Sequence, residues 1–501
     1  MSTNSQEIVQ QIRAQFESLL ESVNTASPKK PSSAYEIERN LLRSLLELGR
    51  MLLQLFFVQQ SDQYQESRIV TEQGQSLPYH THKTRSYWTV FGKIRFARCY
   101  YYQKGQGYFA LDAALNLPTG ACSDLLHQWR GHLAVNDTYH KVGQILSEIL
   151  GQRLGFSTRA LSEQIAQDGA QVQAFYDEAP VPQATPEATV LVVQADGKGV
   201  PLVKKEIAKD KVRLGKGEKA AHKKEAIVTC VYTLVPWVRT PQEVVDSLFK
   251  TKAQPYITER PASPENKRWW ASLDGKEATV KFTRQQATAR EAEHIAHRVA
   301  LTDGSAPLQK QVQVQFPEFR LVLDLVHATE YLWKAANALM GEAAPQRTPW
   351  VQARTLQMLS GQTPLLIAEL RQLAQAPTCK ARVRPVLESV AGYFERNLAY
   401  MHYDVYLQAG WPIATGVIEG ACRHLVKDRC ELSGMRWTRA GAEALLRLRS
   451  VDENGDWEAF HTFRQRQRLC NLYGRTPQPE QTDLERAASN SDLRLIDCQA
   501  A

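Results

Sequence analysis

Three carboxylates in this chain stand where the backbone is free to turn. Asp196 closes the apolar run Thr189-Val-Leu-Val-Val-Gln-Ala and is followed by Gly197-Lys-Gly199. Asp303 ends Val299-Ala-Leu-Thr and is followed by Gly304. Glu419 lies between Gly416 and Gly420 at the start of a predicted helix. Such residues suit a magnesium site, because Mg²⁺ takes oxygen ligands, keeps several waters and needs only a few carboxylates beside substrate phosphates. Two ions held about 3.5–4 Å apart can activate an attacking oxygen and stabilise a leaving one at phosphorus. Each residue also has a plainer reading. An isolated Asp-Gly usually marks a turn, and Glu419 can form an ordinary i,i+4 pair with Arg423. Long stretches of chain separate the three, so only a fold that gathers strand ends would unite them.

Helical geometry separates two faces around Glu419. Ile418, Ala421, Cys422 and Leu425 make an apolar stripe at i, i+3, i+4 and i+7, while Glu419, Arg423 and Lys427 share another flank. One face would pack on a sheet and the other would present a carboxylate followed by two cations. Arg429 and Arg436 extend the basic character, and cations of this kind grip phosphates.

Several elements must position these groups. Residues 1–25 and 33–66 read as helices around a short basic linker. Arg85–Val90 and Lys93–Tyr100 alternate polar and apolar residues about Phe91-Gly92, predicting a hairpin. Its ribbon of Arg85, Lys93, Arg95 and Arg98 among aromatics fits DNA contact or a solvated outer face. The pattern from 123 to 178 is helical, and helices at 137–150 and from Ser157 resemble a helix-turn-helix or any helical hairpin. Pro180–Pro186 marks a domain boundary.

Beyond it, strands are predicted at 189–196 and 226–234, a helix at 284–298, and strands at 299–303 and 320–327. This order predicts a mixed α/β layer, followed by helices over 329–409 and a polar tail after 475. Between Lys198 and Lys224 ten lysines or arginines face three acids, a bias that fits a phosphate backbone or a solvated hairpin tip. Lys198, Lys223 and Lys224 are its candidate DNA contacts.

Composition sets outer limits. A chain of 501 residues implies two to four domains. The formal net charge of +8 permits nucleic acid as a partner without requiring it. The eight cysteines include no CxxC pair, which argues against a zinc ribbon and suits reduced thiols. The N-terminus lacks the pattern of a signal peptide. The greasiest stretch, Leu41–Phe57, is interrupted by Arg43, Glu47, Arg50 and Gln54 and reads as an amphipathic helix. A cytoplasmic protein without a membrane span is expected.

Longer motifs carry a resemblance. Gly416-Val-Ile-Glu-Gly-Ala-Cys-Arg-His-Leu-Val-Lys-Asp-Arg429, Ser433-Gly-Met-Arg-Trp437 and Val322-Leu-Asp-Leu-Val-His-Ala-Thr-Glu-Tyr-Leu332 resemble insertion-sequence transposases of the ISKra type, as do Thr89–Gly92 and Leu111–Pro118. The resemblance implies a DDE enzyme with an RNase H-like catalytic domain, a mixed sheet flanked by helices. It implies two Mg²⁺ (or Mn²⁺) ions held by Asp196, Asp303 and Glu419. Asp324 and His327, from Asp324-x-x-His327, would be an alternative second ligand and its support. His327 fits either a hydrogen-bonded sheet histidine or a base. Trp333, Trp411 and Trp437 read as core or interface aromatics, with Trp437 the best candidate among them for stacking on DNA.

The implied organisation is an N-terminal helical region (1–66), a β-hairpin plus helix-turn-helix-like DNA-binding region (67–179), a catalytic domain (187–333), an all-α insertion (334–409), Glu-bearing helices completing the domain (410–475) and a polar tail (476–501). The expected partners are the element's terminal repeats and target DNA, with a homo-oligomer assembled on DNA. The expected activity is Mg-dependent strand cleavage and strand transfer. A metal-dependent nuclease without strand transfer, or a non-enzymatic DNA-binding protein derived from a transposase, are the alternatives.

Overall fold

The computed structural model describes residues 3–24, 33–151, 157–182, 185–206, 223–249 and 263–475. The linker after Asn24, most of the basic loop between Lys198 and Lys224, and the polar tail lie outside the described residues. The chain forms two compact units, one from Met1–Ala134, Thr138–Leu161 and Glu458–Ala501, the other from Val135–Asp137 and Ser162–Trp457.

In the first unit, helices span Thr3–Asn24 and Ala34–Gln63, close to the predicted ranges. Ser33 starts the second with a reciprocal capping box. Its hydroxyl accepts the Glu36 N–H and the Glu36 carboxylate accepts the Ser33 N–H, so two orphan donors of the first turn are satisfied. Strands β1 (Arg68–Val70), β2 (Ser76–Thr89), β3 (Gly92–Gln103) and β4 (Gln106–Tyr108) form an antiparallel sheet in that order. The β2–β3 hairpin turns at residues 90 and 91, as the Phe91-Gly92 signal predicts. Phe57 of the second helix stacks on Phe96 at 4.4 Å and joins Tyr87 and Ile94 in a core.

The hairpin's basic residues do not form one ribbon. Lys93 and Arg95 are exposed, but Arg85 and Arg98 turn inward onto buried Asp112. Burial holds the Asp112 carboxyl above its ordinary range against the pull of both guanidiniums. A carboxylate in that position needs paired cations, and the pairing removes them from any outer face. Of the suspected helix pair, Tyr139–Ile149 begins at N-cap Thr138, and Thr158–Gly169 begins where Ser157 Oγ accepts the Ala160 N–H. The division between the two units falls within Thr158–Gly169, and residues 152–156 lie outside the described residues.

The second unit holds a five-stranded sheet of β5 (Val190–Pro201), β6 (Lys223–Leu234), β7 (Glu265–Ser272), β8 (His297–Thr302) and β9 (Arg320–Leu323), in the order β7-β6-β5-β8-β9. Strands β5, β6 and β7 run antiparallel, whereas β8 pairs parallel to β5 and β9 pairs parallel to β8. Central β5 is buried on both sides from Val190 to Ala195, which explains its unbroken apolar run. Leu191, Val193 and Ala195 pack with residues of helices Lys276–Thr288 and Ala306–Gln315. Period-two alternation therefore turns Gln194 and Asp196 to the opposite face.

Four local expectations differ from the structure, the first being the strand expected at 320–327, which ends at Leu323 because Asp324 caps a helix that contains His327. β5 continues past Asp196 to Pro201, because β6 stays paired with it to Lys223. β7 is an additional strand, and its sequence Glu-Asn-Lys-Arg-Trp-Trp-Ala-Ser is that of a sheet edge with little alternation. The helix expected at 284–298 lies earlier, at Lys276–Thr288. After β9 the chain is helical, through Leu325–Met340, Arg347–Leu359, Thr363–Gln375, Arg384–Asn397 and Tyr403–Gln408. Among the described residues no helix is long and apolar enough to cross a membrane. The seven described cysteines are free thiols.

Candidate active site

The parallel pairing of β8 with β5 ends at Gln194–Leu301. Asp196 lies just beyond that point, at the place where β5 keeps only its β6 neighbour. Asp303 follows the last residue of β8, and Asp324 follows the last residue of β9. The two parallel strands thus end together and deliver both aspartates to one end of the sheet beside Asp196.

Asp303 is half-buried, and its Oδ1 accepts the Ser305 N–H at 2.9 Å. Gly304 holds φ +86, and a Cβ there would come within 2.5 Å of the Tyr393 hydroxyl. That hydroxyl in turn donates to the Asp303 carbonyl at 3.1 Å. A side chain at position 304 would be strained and would push on the residue that holds the turn.

Asp324 is fully buried and serves as N-cap of the helix Leu325–Met340. Its Oδ1 accepts the Thr415 N–H at 2.7 Å. Its Oδ2 accepts the His327 N–H at 2.9 Å and lies 2.7 Å from His327 Nδ1. This bond, the largest influence, lifts the imidazole to about 9 against the opposing effect of burial, and the charges of Asp324, Glu330 and Asp303 add to it.

Glu419 is exposed on the short helix Gly416–Ala421, whose N-terminal side is held by Asp324 through Thr415 and by Gln194 through Ile418. A π-helical turn, Cys422–Lys427, follows directly. Wider turns of this type recur at functional sites. Ile418, Ala421, Cys422 and Leu425 are buried as predicted, and Arg423 and Lys427 are exposed on the other side. Arg423 pairs with Asp428 at 3.6 Å. Cys422 donates its thiol to Asp196 Oδ2 at 3.3 Å, and Gly197 N–H donates to Asp196 Oδ1 at 2.6 Å.

The electrostatics follow from this gathering. Burial pushes the Asp196 carboxyl above its ordinary range, two hydrogen bonds oppose it, and the charge of Asp303 pushes it further upward. Burial likewise raises the Cys422 thiol, with the Asp196 and Glu419 charges contributing. One ligand atom each from Asp324, His327 and Glu419 lies within 4.8 Å of the others. The Asp324 oxygens already accept from Thr415 and His327, and the side chain is unexposed. It fits the role of a brace better than that of an ion ligand. Asp196 and Asp303 are half-buried and Glu419 is exposed, and neither aspartate belongs to the group within 4.8 Å among the described residues.

Among the candidate DNA contacts, Lys198 is half-buried and Lys223, Lys224, Arg423, Lys427 and Arg436 are exposed. Arg429 and Trp437 are a correction, since both are buried. Trp437 bridges to Leu202, donates its indole N–H to the Cys430 carbonyl and lies 4.9 Å from the Arg429 guanidinium. Continuation of the apolar stripe past the π turn draws position 429 inward. Gln194, Thr415 and Tyr393 complete the site and carried no signal in the sequence, because a buried Gln or Tyr gains its role only from tertiary partners, while Cys422 was marked only as part of the apolar stripe.

Residues 31–232 match the model of an uncharacterised protein family, UPF0236. A search of curated proteins gives no match. Among solved structures the chain is similar to one described as the Drosophila P element transposase strand transfer complex. The identity is 9% and the TM-score 0.24, over 75% of this chain and 88% of that chain.

Proposed function

We propose that the chain is a DDE-type transposase with an RNase H-like catalytic domain. The domain is read as residues 187–333 and 410–475, interrupted by a helical insertion at 334–409. What supports this reading is that Asp196, Asp303 and Asp324 lie at one end of the sheet, with Glu419 reaching the Asp324–His327 pair from another element. Two Mg²⁺ or Mn²⁺ ions, held by Asp196, Asp303 and Glu419, would supply activation of an oxygen nucleophile and stabilisation of the leaving oxygen.

The remaining residues orient the site. Asp324 fixes His327 through Nδ1 and leaves Nε2 as the ring atom available to a further partner. Gln194 and Asp324 set the position of the Glu419 helix. Lys198, Lys223, Lys224, Arg423, Lys427 and Arg436 carry positive charge suited to phosphates flanking the scissile bond. Partners on this reading are the element ends and target DNA, with a homo-oligomer assembled on them.

The test uses purified full-length protein and labelled duplexes carrying the DNA that flanks its gene. Asp196→Ala and Glu419→Ala should each lower Mg²⁺-dependent nicking by at least ~10³-fold while binding is retained. Retained cleavage in either variant overturns the assignment. A pre-cleaved end with a free 3′-hydroxyl should give joined products, and hydrolysis without joining would indicate a nuclease instead.

A further inference from the structure

His327 lies in the first turn of the helix Leu325–Met340, just beyond the strand end that delivers Asp324. Asp324 is unexposed and holds the ring at Nδ1 over 2.7 Å, which leaves Nε2 as the nitrogen open to a further partner. The His327 side chain is 30% exposed, so an ion can reach it from solvent. Glu419, exposed on the helix Gly416–Ala421, brings a carboxylate from a different element to the same place. Among the described residues, Asp324, His327 and Glu419 are where three possible metal ligands converge, with one ligand atom of each within 4.8 Å of the others.

This donor set differs in kind from the carboxylates assigned to Mg²⁺. Hard Mg²⁺ takes oxygen ligands, whereas imidazole suits Zn²⁺ and its transition-metal neighbours. A metal-ligating histidine characteristically gives its other ring N–H to a carboxylate, which fixes the tautomer and aims the free nitrogen. The Asp324–His327 bond is that arrangement, and Asp324 is itself held by the Thr415 N–H at 2.7 Å. Asp196 and Asp303 stand outside the group and accept hydrogen bonds of their own, from Gly197, Cys422 and Ser305. The surrounding charge favours a cation as well, because the Glu330 and Asp303 carboxylates act on the ring electrostatically.

We propose that His327 Nε2 and a Glu419 oxygen bind a borderline divalent ion of the Zn²⁺ class. Asp324 orients the imidazole from behind, and water or a substrate phosphate fills the remaining positions. The ion takes the place of a proton on Nε2, while the Nδ1 proton stays shared with Asp324. Thr415 ties Asp324 to the start of the Glu419 helix, so the two ligands come from elements already held together. The consequence for cleavage rests on the catalytic reading. Glu419 cannot serve this ion and the Mg²⁺ carboxylates at once, so Zn²⁺ inhibits by competing for one side chain. The binding itself needs only the geometry of Asp324, His327 and Glu419.

Calorimetric titration of the untagged full chain with Zn²⁺ in Mg²⁺-free buffer tests it. The expected result is a Zn²⁺ site whose affinity falls at least ~10-fold in His327→Gln and in Glu419→Gln and is unchanged in Asp196→Asn. Circular dichroism reports whether each variant stays folded. Should a variant unfold, zinc X-ray absorption of the parent complex gives the independent measurement, with an imidazole nitrogen among oxygens and no sulfur expected. Equal affinity in the parent chain and folded His327→Gln, loss of the site in folded Asp196→Asn, or an all-oxygen or sulfur-containing shell overturns the proposal. Zn²⁺ at about ten times its dissociation constant should also slow Mg²⁺-dependent nicking on the order of 10-fold. Zn²⁺ that binds here without slowing cleavage leaves the site in place and removes Glu419 from the Mg²⁺ ligands. A chain that binds Zn²⁺ in this way but nicks no DNA overturns the catalytic reading alone.

Discussion

Gln194 Oε1 accepts the Ile418 N–H at 2.9 Å, and this bond ties the strand that carries Asp196 to the helix that carries Glu419. The same side chain donates to the Tyr232 hydroxyl at 2.9 Å, so it is fixed at both ends and is fully buried. Ile418 N–H is one of the orphan donors of a helix start. Position 194 therefore serves as a side-chain cap reaching from another element.

Gln194→Leu should leave that donor unpaired in the interior. The expected stability loss is about 1–3 kcal/mol, read from chemical denaturation. Displacement of Glu419 by even about 1 Å should reduce cleavage on the order of 10²-fold while DNA binding persists. Gln194→Glu retains the acceptor for Ile418 and should recover part of the activity. Equal loss in both variants would show that the cap does not position the site.

The Asp324–His327 pair gives a pH signature. With the folded imidazole raised to about 9, its contribution to stability is fully present below the unfolded value near 6.5 and is lost as pH rises through 9. In chelator, the unfolding free energy should fall over that window by on the order of 1–2 kcal/mol, allowing for solvent screening at the half-exposed ring. Asp324→Asn should flatten this slope and move the His327 resonance in NMR titration toward the ordinary range. An unchanged slope would refute the pairing as its cause.

Gly304→Ala should be costly for a conformational reason as well as a steric one. The residue combines φ +86 with a Cβ position 2.5 Å from the Tyr393 hydroxyl and 2.9 Å from Leu323. A loss of roughly 1–3 kcal/mol follows, seen as a lowered melting temperature. Tyr393→Phe removes the hydroxyl contact and leaves φ unchanged. Gly304→Ala should therefore gain little in that background if backbone strain dominates, and much of its stability if the clash does.

How much of this was legible depended on the range of the interaction. The apolar run Val190–Ala195 and the Asp-Gly signal at Asp303 are local patterns, and they lead directly to β5 and to the turn after β8. The stripe Ile418–Leu425 gave the buried face of the Glu419 helix for the same reason. β7 escaped notice because its pattern is set by its edge position, and Asp196 lies within β5 because β6 prolongs the strand. The inward turn of Arg85, Arg98 and Arg429 was illegible. A guanidinium beside an aromatic has one composition whether it faces Asp112, Trp437 or solvent.

Metal addition provides the last prediction. Burial and the nearby Asp303 charge raise the Asp196 carboxyl above its ordinary range, so in metal-free protein ionising it opposes folding. The sign is that stability from this group falls as pH rises through the interval between its unfolded and folded values. A bound divalent ion requires the ionised form and reverses that penalty. The rise in melting temperature given by Mn²⁺ over chelator should therefore be larger at neutral than at acidic pH. At a concentration about 100 times Kd the stabilisation should reach about 2.7 kcal/mol. Asp196→Asn should abolish both the stabilisation and its pH dependence, whereas Cys422→Ser, which keeps a donor beside Asp196 Oδ2, should retain them. Equal Mn²⁺ stabilisation of the parent chain and Asp196→Asn would place the ion away from β5 and remove Asp196 from the ligand set.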